Sequence, residues 1–154
     1  LDLSVNILTN FAVNKSFIKV FGGDQLRPNL HIHDYFRAVE TLINATDEKI
    51  ENQIFNVGFQ NLSISDLAKK VKNVVEREFP EKKDIQILKS PSDDKRSYHI
   101  NSDKIKKILG FVPEKTIENA IEDLCKAFKE KKINDSFDND LYFNVKRLQN
   151  IQAK

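Results

Sequence analysis

The chain has 154 residues, 40% of them hydrophobic and 31% charged, a size and composition that support one globular domain with a real core. Twenty-five Lys and Arg against 23 Asp and Glu leave a net charge of +2, with the two signs interspersed, which argues against a nucleic-acid surface. No apolar run reaches the length of a membrane span.

One cysteine, Cys125, has no internal partner for a disulfide, which suits a reducing, cytoplasmic setting. The sequence holds no methionine at all, and Leu1 is a poor residue to follow a removed initiator. The expectation is therefore a piece of a longer protein.

Helical spacing of Leu1, Val5, Leu8, Phe11 and Ala12 predicts a helix over residues 2–13, followed by an apolar strand over 17–21. Gly22, Gly23 and Asp24 make a turn, Pro28 holds Arg27 extended, and residues 30–32 read as a second short strand. Asp34 is placed to cap a helix over 34–45, with Phe36, Val39, Leu42 and Ile43 as its apolar positions. Residues 53–57 read as a buried strand ended by Gly58. The strongest helix signal covers 65–78, with Ser65 as its cap and Leu67, Ala68, Val71, Val74 and Val75 on one face. A strand over 84–88, a polar loop, and a short extended piece over 98–100 come next. Ser102 opens a helix over 102–109 that Gly110 stops, and Thr116 with Asn119 opens a last helix over 116–130. Beyond Lys129 the chain is polar, with a few apolar anchors such as Leu141 and Phe143. The fold class is α/β.

Chemistry is sparse. No G-x-G-x-x-G or Walker loop follows a strand, and no Cys or His cluster has metal-ligand spacing. His31 and His33 alternate on a segment read as extended, which turns them to opposite faces and away from a shared ion. No serine or cysteine sits in a recognisable nucleophile turn. The loop arginines Arg27 and Arg96 remain, each with a planar fork of donors suited to phosphate, although a lone surface arginine is more often structural or solvated.

The run V-F-G-G-D-Q-L-R-P-N-L-H-I-H-D-Y from Val20 to Tyr35 resembles extended short-chain dehydrogenases/reductases that act on nucleotide sugars, where a strand, a glycine turn and R-x-x-x-H-V-x-D follow one another. I-F-N-V-G from Ile54, S-I-S-D-L-A-K-K-V from Ser63, D-K-R-S-Y-H-I-N-S-D-K-I-K-K-I-L-G-F-V-P from Asp94 and T-I-E-N-A-I-E-D-L from Thr116 come in the family's order. Each piece is weak alone; together and in order they are specific.

The resemblance implies the carboxyl-terminal, substrate-binding portion of an NAD(P)-dependent nucleotide-sugar epimerase or dehydratase. In such an enzyme a Rossmann-type domain carries NAD or NADP at a glycine-rich turn, and a smaller lobe holds the nucleotide sugar. The catalytic Tyr and Lys and the cofactor turn belong to the missing N-terminal Rossmann portion, so no catalytic or cofactor residue is placed here, and the fragment alone is expected to be inactive. The segment around Phe55 is expected to complete the large nucleotide-binding sheet. As partners the resemblance implies a nucleotide-diphosphate sugar and that missing portion, in a homo-oligomeric parent, with no membrane or nucleic acid.

Carried over position by position, Arg27 matches the arginine that pairs with the diphosphate. Lys19 and Phe21 lie on the strand along the base, and Asp2 and Leu3 line its other side. Arg96 and Tyr98 fall in the second phosphate and ribose loop, with Asp94 as a hydroxyl acceptor. Pro28 stands where aspartate is common, and Pro91 and Ser92 where many relatives carry an arginine. His31 and Asp34 are read as structural. The alternative is a non-catalytic binding module that keeps the nucleotide-sugar cleft.

Overall fold

A computed structural model describes residues 1–94 and 96–152. Helix α1 (Ser4–Lys15) buries Leu8, Ala12 and Val13 and ends at Ser16, whose left-handed φ of 57° turns the chain at once into strand β1 (Phe17–Phe21). Alternation in β1 is clean: Ile18 and Val20 are buried, whereas Lys19 and Phe21 face out. After the glycine turn come β2 (Leu26–Asn29), α2 (Ile32–Ile43) and the single turn α3 (Asp47–Ile50). Strand β3 (Gln60–Ser63) leads directly into α4 (Ile64–Glu78), then β4 (Gln86–Ser90), α5 (Asp103–Leu109) and α6 (Ile117–Lys129). A 3-10 turn (Asp140–Tyr142) and α7 (Asn144–Asn150) follow.

Two small sheets organise these elements. Strands β1 and β4 pair in parallel, with Lys19 opposite Leu88 and Phe21 opposite Ser90. A parallel pair needs a long crossover, and α4 supplies its helix. Strands β2 and β3 pair antiparallel, with Arg27 opposite Leu62. The main core lies where α1, α4 and α6 meet β1: Ala12, Ile18, Leu67, Val71, Val75, Ile121 and Cys125 are at or near zero exposure. Each of the larger side chains among them contributes roughly 1.5–3 kcal/mol by leaving water. Burial pushes the Cys125 thiol up to about 12, so it behaves as a small core hydrophobe.

A second, smaller cluster joins Ala38 of α2 to Ile105 of α5 and to Phe111, with Phe55, Val57 and Leu109 packed against it. Helix α2 therefore buries a narrow face, Asp34 and Ala38. Its wide apolar face is bare: Ile32, Tyr35, Phe36, Val39 and Ile43 are exposed, by 77% at Ile43. The C-terminal segment is strapped to α1 instead, through Ser136 Oγ on Asn10 Oδ1 at 2.7 Å and the Phe137 ring edge-on to Phe11.

Several expectations need correction. Residues 53–57 form no strand: Ile54 is 82% exposed, and only Phe55 and Val57 pack inward. The strand here is β3, beginning after Gly58, because Asn29 and Gln60 draw the chain into the antiparallel pair with β2. Residues 30–32 are not a strand either; β2 comes earlier, and Ile32 already starts α2. His31 caps that helix, its Nδ1 accepting the His33 N–H at 3.1 Å, so Asp34 lies inside the first turn. Ser63, not Ser65, caps α4 by accepting the Asp66 N–H at 3.0 Å. Strand β4 sits two residues later than 84–88. Residues 98–100 make one hydrogen bond to β2, from the Tyr98 N–H, and two between Ile100 and the Asn61 side chain without becoming a strand. Ser102 sits at the α5 cap position, yet its hydroxyl bonds both backbone groups of Gly58. The capping box of Thr116 and Asn119 and the left-handed Gly110 are as the sequence indicates.

Candidate functional site

The site grows from the glycine turn. Gly22 and Gly23 have φ of 73° and 130°, values that side-chain-bearing residues rarely adopt, and they let the chain reverse from β1 into β2. The Gln25 amide braces that turn: Oε1 accepts the Gly23 N–H at 2.6 Å, and Nε2 donates to Phe21 O and to Asp94 O. The Gly22 N–H goes to Ser90 O at 2.8 Å. Both glycine donors are thus used internally, so the turn does not fit the pyrophosphate of a dinucleotide cofactor, which needs inward-pointing free N–H groups.

Strand β2 lies between β3 and the loop around residue 96. Leu26 donates to Ser97 Oγ at 3.1 Å and accepts the Tyr98 N–H at 3.1 Å. These bonds bring Arg27, Asp94, Arg96 and Tyr98 together. Arg27 Nη1 donates to Leu26 O at 2.9 Å and to Arg96 O at 2.7 Å, and its guanidinium lies 5.3 Å from the centre of the Tyr98 ring. With both Nη1 protons taken, the Nε–Nη2 edge makes no hydrogen bond to the described residues; its nearest acid is Asp94, 3.8 Å from Nη2.

Arg96 makes the tighter pair with Asp94, through Nε at 2.7 Å and Nη2 at 2.9 Å, while its backbone N–H adds a bond at 3.1 Å. The Arg96 hydrogen bonds, aided by the charge of Arg27, hold the Asp94 carboxyl well below the usual carboxylate range; Asp94 in turn holds Arg96 above the ordinary arginine value.

Two clefts flank this cluster. A polar one of about 390 Å³ is lined by Gly22, Asp24, Gln25, Ser92, Asp94 and Ser97. The other, about 650 Å³ and mostly apolar, is lined by Arg27 with Leu3, His31, Ile32, Tyr35 and Leu124 among others. His31 is 7% exposed and sets its Nε2 3.2 Å from Asp123 Oδ2. Arg27 and Leu3 therefore share a cleft, as do Asp94 and the glycine turn. Lys19 and Phe21 stand on the outer face of β1 and line neither cleft, with Lys19 Nζ 5.7 Å from the Phe17 ring centre. Asp2 is turned elsewhere: its carboxylate accepts the Asn144 N–H at 2.5 Å, beside a third cleft with Phe143 and Val145.

The spacing Y-x-x-x-K occurs once in the sequence, at Tyr142 and Lys146. Phe143 is extended, with φ of −133°, so the two residues are not on one helical turn. Lys146 Nζ donates to Asp138 O at 3.0 Å. Among the described residues no cluster of His, Cys, Asp and Glu suits a metal, and no helix is long and apolar enough to cross a membrane.

No family model matches the chain. A dTDP-glucose 4,6-dehydratase of Shigella flexneri is 29% identical over 119 residues, which cover 71% of this chain and 31% of that protein. The UDP-glucose 4-epimerase of Thermotoga maritima, solved with UDP-glucose, superposes with a TM-score of 0.68 at 21% identity, covering 83% of this chain and 40% of that one. The dTDP-glucose 4,6-dehydratase of Bacillus anthracis, solved in complex with NAD, gives 0.64 at 16% identity, covering 88% and 40%. The chain thus spans about a third of the length of the curated relative and two-fifths of the solved ones. Its fold is α/β and matches part of these epimerase and dehydratase structures, and over 71% of its length the chain is similar in sequence to a dTDP-glucose 4,6-dehydratase.

Proposed function

We propose that the chain is the carboxyl-terminal, substrate-binding part of a cytoplasmic, NAD(P)-dependent nucleotide-sugar epimerase or dehydratase. The observation that carries this reading is the Arg27 guanidinium: its side chain is only 24% exposed, it is fixed through Nη1 by two carbonyls, and beside an apolar cleft it presents an Nε–Nη2 edge that bonds none of the described residues. Such an edge matches two oxygens of a diphosphate in direction as well as charge, which a lysine cannot do. Tyr98 backs the guanidinium, and Leu3 with Tyr35 gives the same cleft an apolar wall.

NAD or NADP would supply hydride abstraction and return at a sugar carbon. The Gly22–Gly23 turn does not fit that cofactor, and in this reading the cofactor turn and the catalytic Tyr and Lys belong to the rest of the full protein. The role of this chain is to bind and orient the nucleotide sugar. Two features support the view that it completes a larger structure, one that assembles as a homo-oligomer: the apolar face of α2 is bare, and residues 53–57 are extended without a partner strand among the described residues. Patches of this kind mark interaction faces.

The test is thermal unfolding of the full protein against a panel of nucleotide-diphosphate sugars. A ligand at 100 times its Kd stabilises the folded state by about 2.7 kcal/mol. At least one member of the panel should raise Tm; a flat response across uridine, thymidine, guanosine and adenosine diphosphate sugars counts against the reading.

A further inference from the structure

Asp94 stands between two arginines and treats them unequally. Oδ1 already accepts the backbone N–H and Nε of Arg96, and Oδ2 accepts Arg96 Nη2. Toward Arg27 the same Oδ2 stays at 3.8 Å, beyond a hydrogen bond but close enough to neutralise charge. A carboxylate engaged on both oxygens is poorly free to receive a ribose hydroxyl, the role that family resemblance gives it.

The two pairs also differ in how easily they part. Arg96 is 73% exposed in its side chain, and an ion pair that open to water contributes little net stability, so it exchanges one anion for another at small cost. Arg27 is anchored by Leu26 O and Arg96 O and stays in place whichever anion it faces.

We propose that Asp94 is a resident counter-anion, which a diphosphate displaces from Arg27 and Arg96, and that it thereby sets the charge a ligand needs to occupy this site. With Asp94 in place the cluster carries one net positive charge, enough to hold a monoanion only weakly. A diphosphate brings at least two negative charges and takes both forks. The proposal rests on the reading that Arg27 receives the diphosphate, and it reverses the sign of the effect that a hydroxyl-accepting aspartate would have.

The experiment is calorimetric titration of the full protein with inorganic pyrophosphate and with orthophosphate at low salt, for wild type, Asp94→Asn, Asp94→Ala and Arg27→Gln. Removing one negative charge near 4 Å from the anion should tighten pyrophosphate binding about tenfold in both Asp94 variants and narrow the preference over orthophosphate. Arg27→Gln should lose pyrophosphate binding. Unchanged or weaker binding in the Asp94 variants overturns the counter-anion role; if Arg27→Gln has lost the anion in that same experiment, the diphosphate reading survives. Retained binding in Arg27→Gln overturns both. The melting curve of each variant accompanies its titration, and with two different replacements at Asp94 a folding defect in one still leaves the sign readable in the other.

Discussion

Asp34 and Lys115 are 81 residues apart, and the carboxylate of the first accepts the backbone N–H of the second at 2.8 Å. The same oxygen accepts the Glu114 N–H at 3.0 Å, while the other takes Arg37 Nη1 at 2.6 Å. Asp34 has no exposed surface, so it ties the start of α2 to the entry of α6 from inside the protein. Burial pushes its carboxyl up, but the bonds from Lys115, Arg37 and Glu114 together outweigh it and hold the group below its ordinary value. A depressed carboxylate contributes stability that is whole above its unfolded pKa, about 3.9, and is lost as pH falls through the lower folded value. Asp34→Asn should therefore cost about 3 kcal/mol at pH 7, because one partner of a buried, charge-assisted network is removed. Urea melts at pH 7 and pH 3 check both claims, since the gap between wild type and variant must shrink in acid.

Arg27→Lys in the full protein should weaken nucleotide-sugar binding by about 1.5–3 kcal/mol, the worth of one charged hydrogen bond, and leave NAD(P) binding nearly unchanged. A purely structural Arg27 would do the reverse, lowering Tm and sparing affinity. Calorimetry beside melting curves separates the two. Asp24, the acid nearest to Arg27 in sequence, lines the other cleft, and the acid nearest it in space is Asp94.

Gly23 and Ser65 offer a test of the turn. A Cβ on Gly23 would come within 2.3 Å of Ser65 Oγ, and the Gly23 φ of 130° is strained for any side chain. Gly23→Ala should cost more than about 2 kcal/mol. Ser65 Oγ is buried without a partner among the described residues, so Ser65→Ala alone should be neutral or mildly stabilising. In the double variant the steric part disappears while the backbone strain remains. A double-mutant cycle with no favourable coupling would contradict this packing.

The bare face of α2 predicts behaviour in solution. Expressed as these 154 residues, the chain should self-associate, and replacing both Phe36 and Ile43 by Lys should reduce that association. Both side chains are mostly exposed, 66% and 77%, so stability should shift by no more than about 0.5 kcal/mol per site. Sedimentation velocity over a concentration series reads the first claim and thermal melts the second. A monodisperse monomer before substitution would remove the basis for an interaction face.

Much of this architecture was legible in residue order, because local rules decide it. The 3.6-residue spacing in α4 and α6, the capping box at Thr116 and the stop at Gly110 all act within a turn or two of helix. The order of five short motifs was also enough to point to the dehydratases and epimerases that the chain resembles. Tertiary structure decided the rest. Residues 53–57 have strand-like side chains, yet a strand exists only where a neighbour offers hydrogen bonds, and the described residues offer none there. Asp34 looks like a helix cap by position; the N–H groups of Glu114 and Lys115, invisible to any local window, drew it into the interior and left the cap to His31. Arg27 and Arg96 were candidates from residue type alone. Which acid each faces, and that Arg27 keeps one edge unbonded among the described residues beside Tyr98, depends on strand β2 meeting the loop around residue 96 from 69 residues away, a pairing that three-dimensional packing chooses and sequence spacing does not.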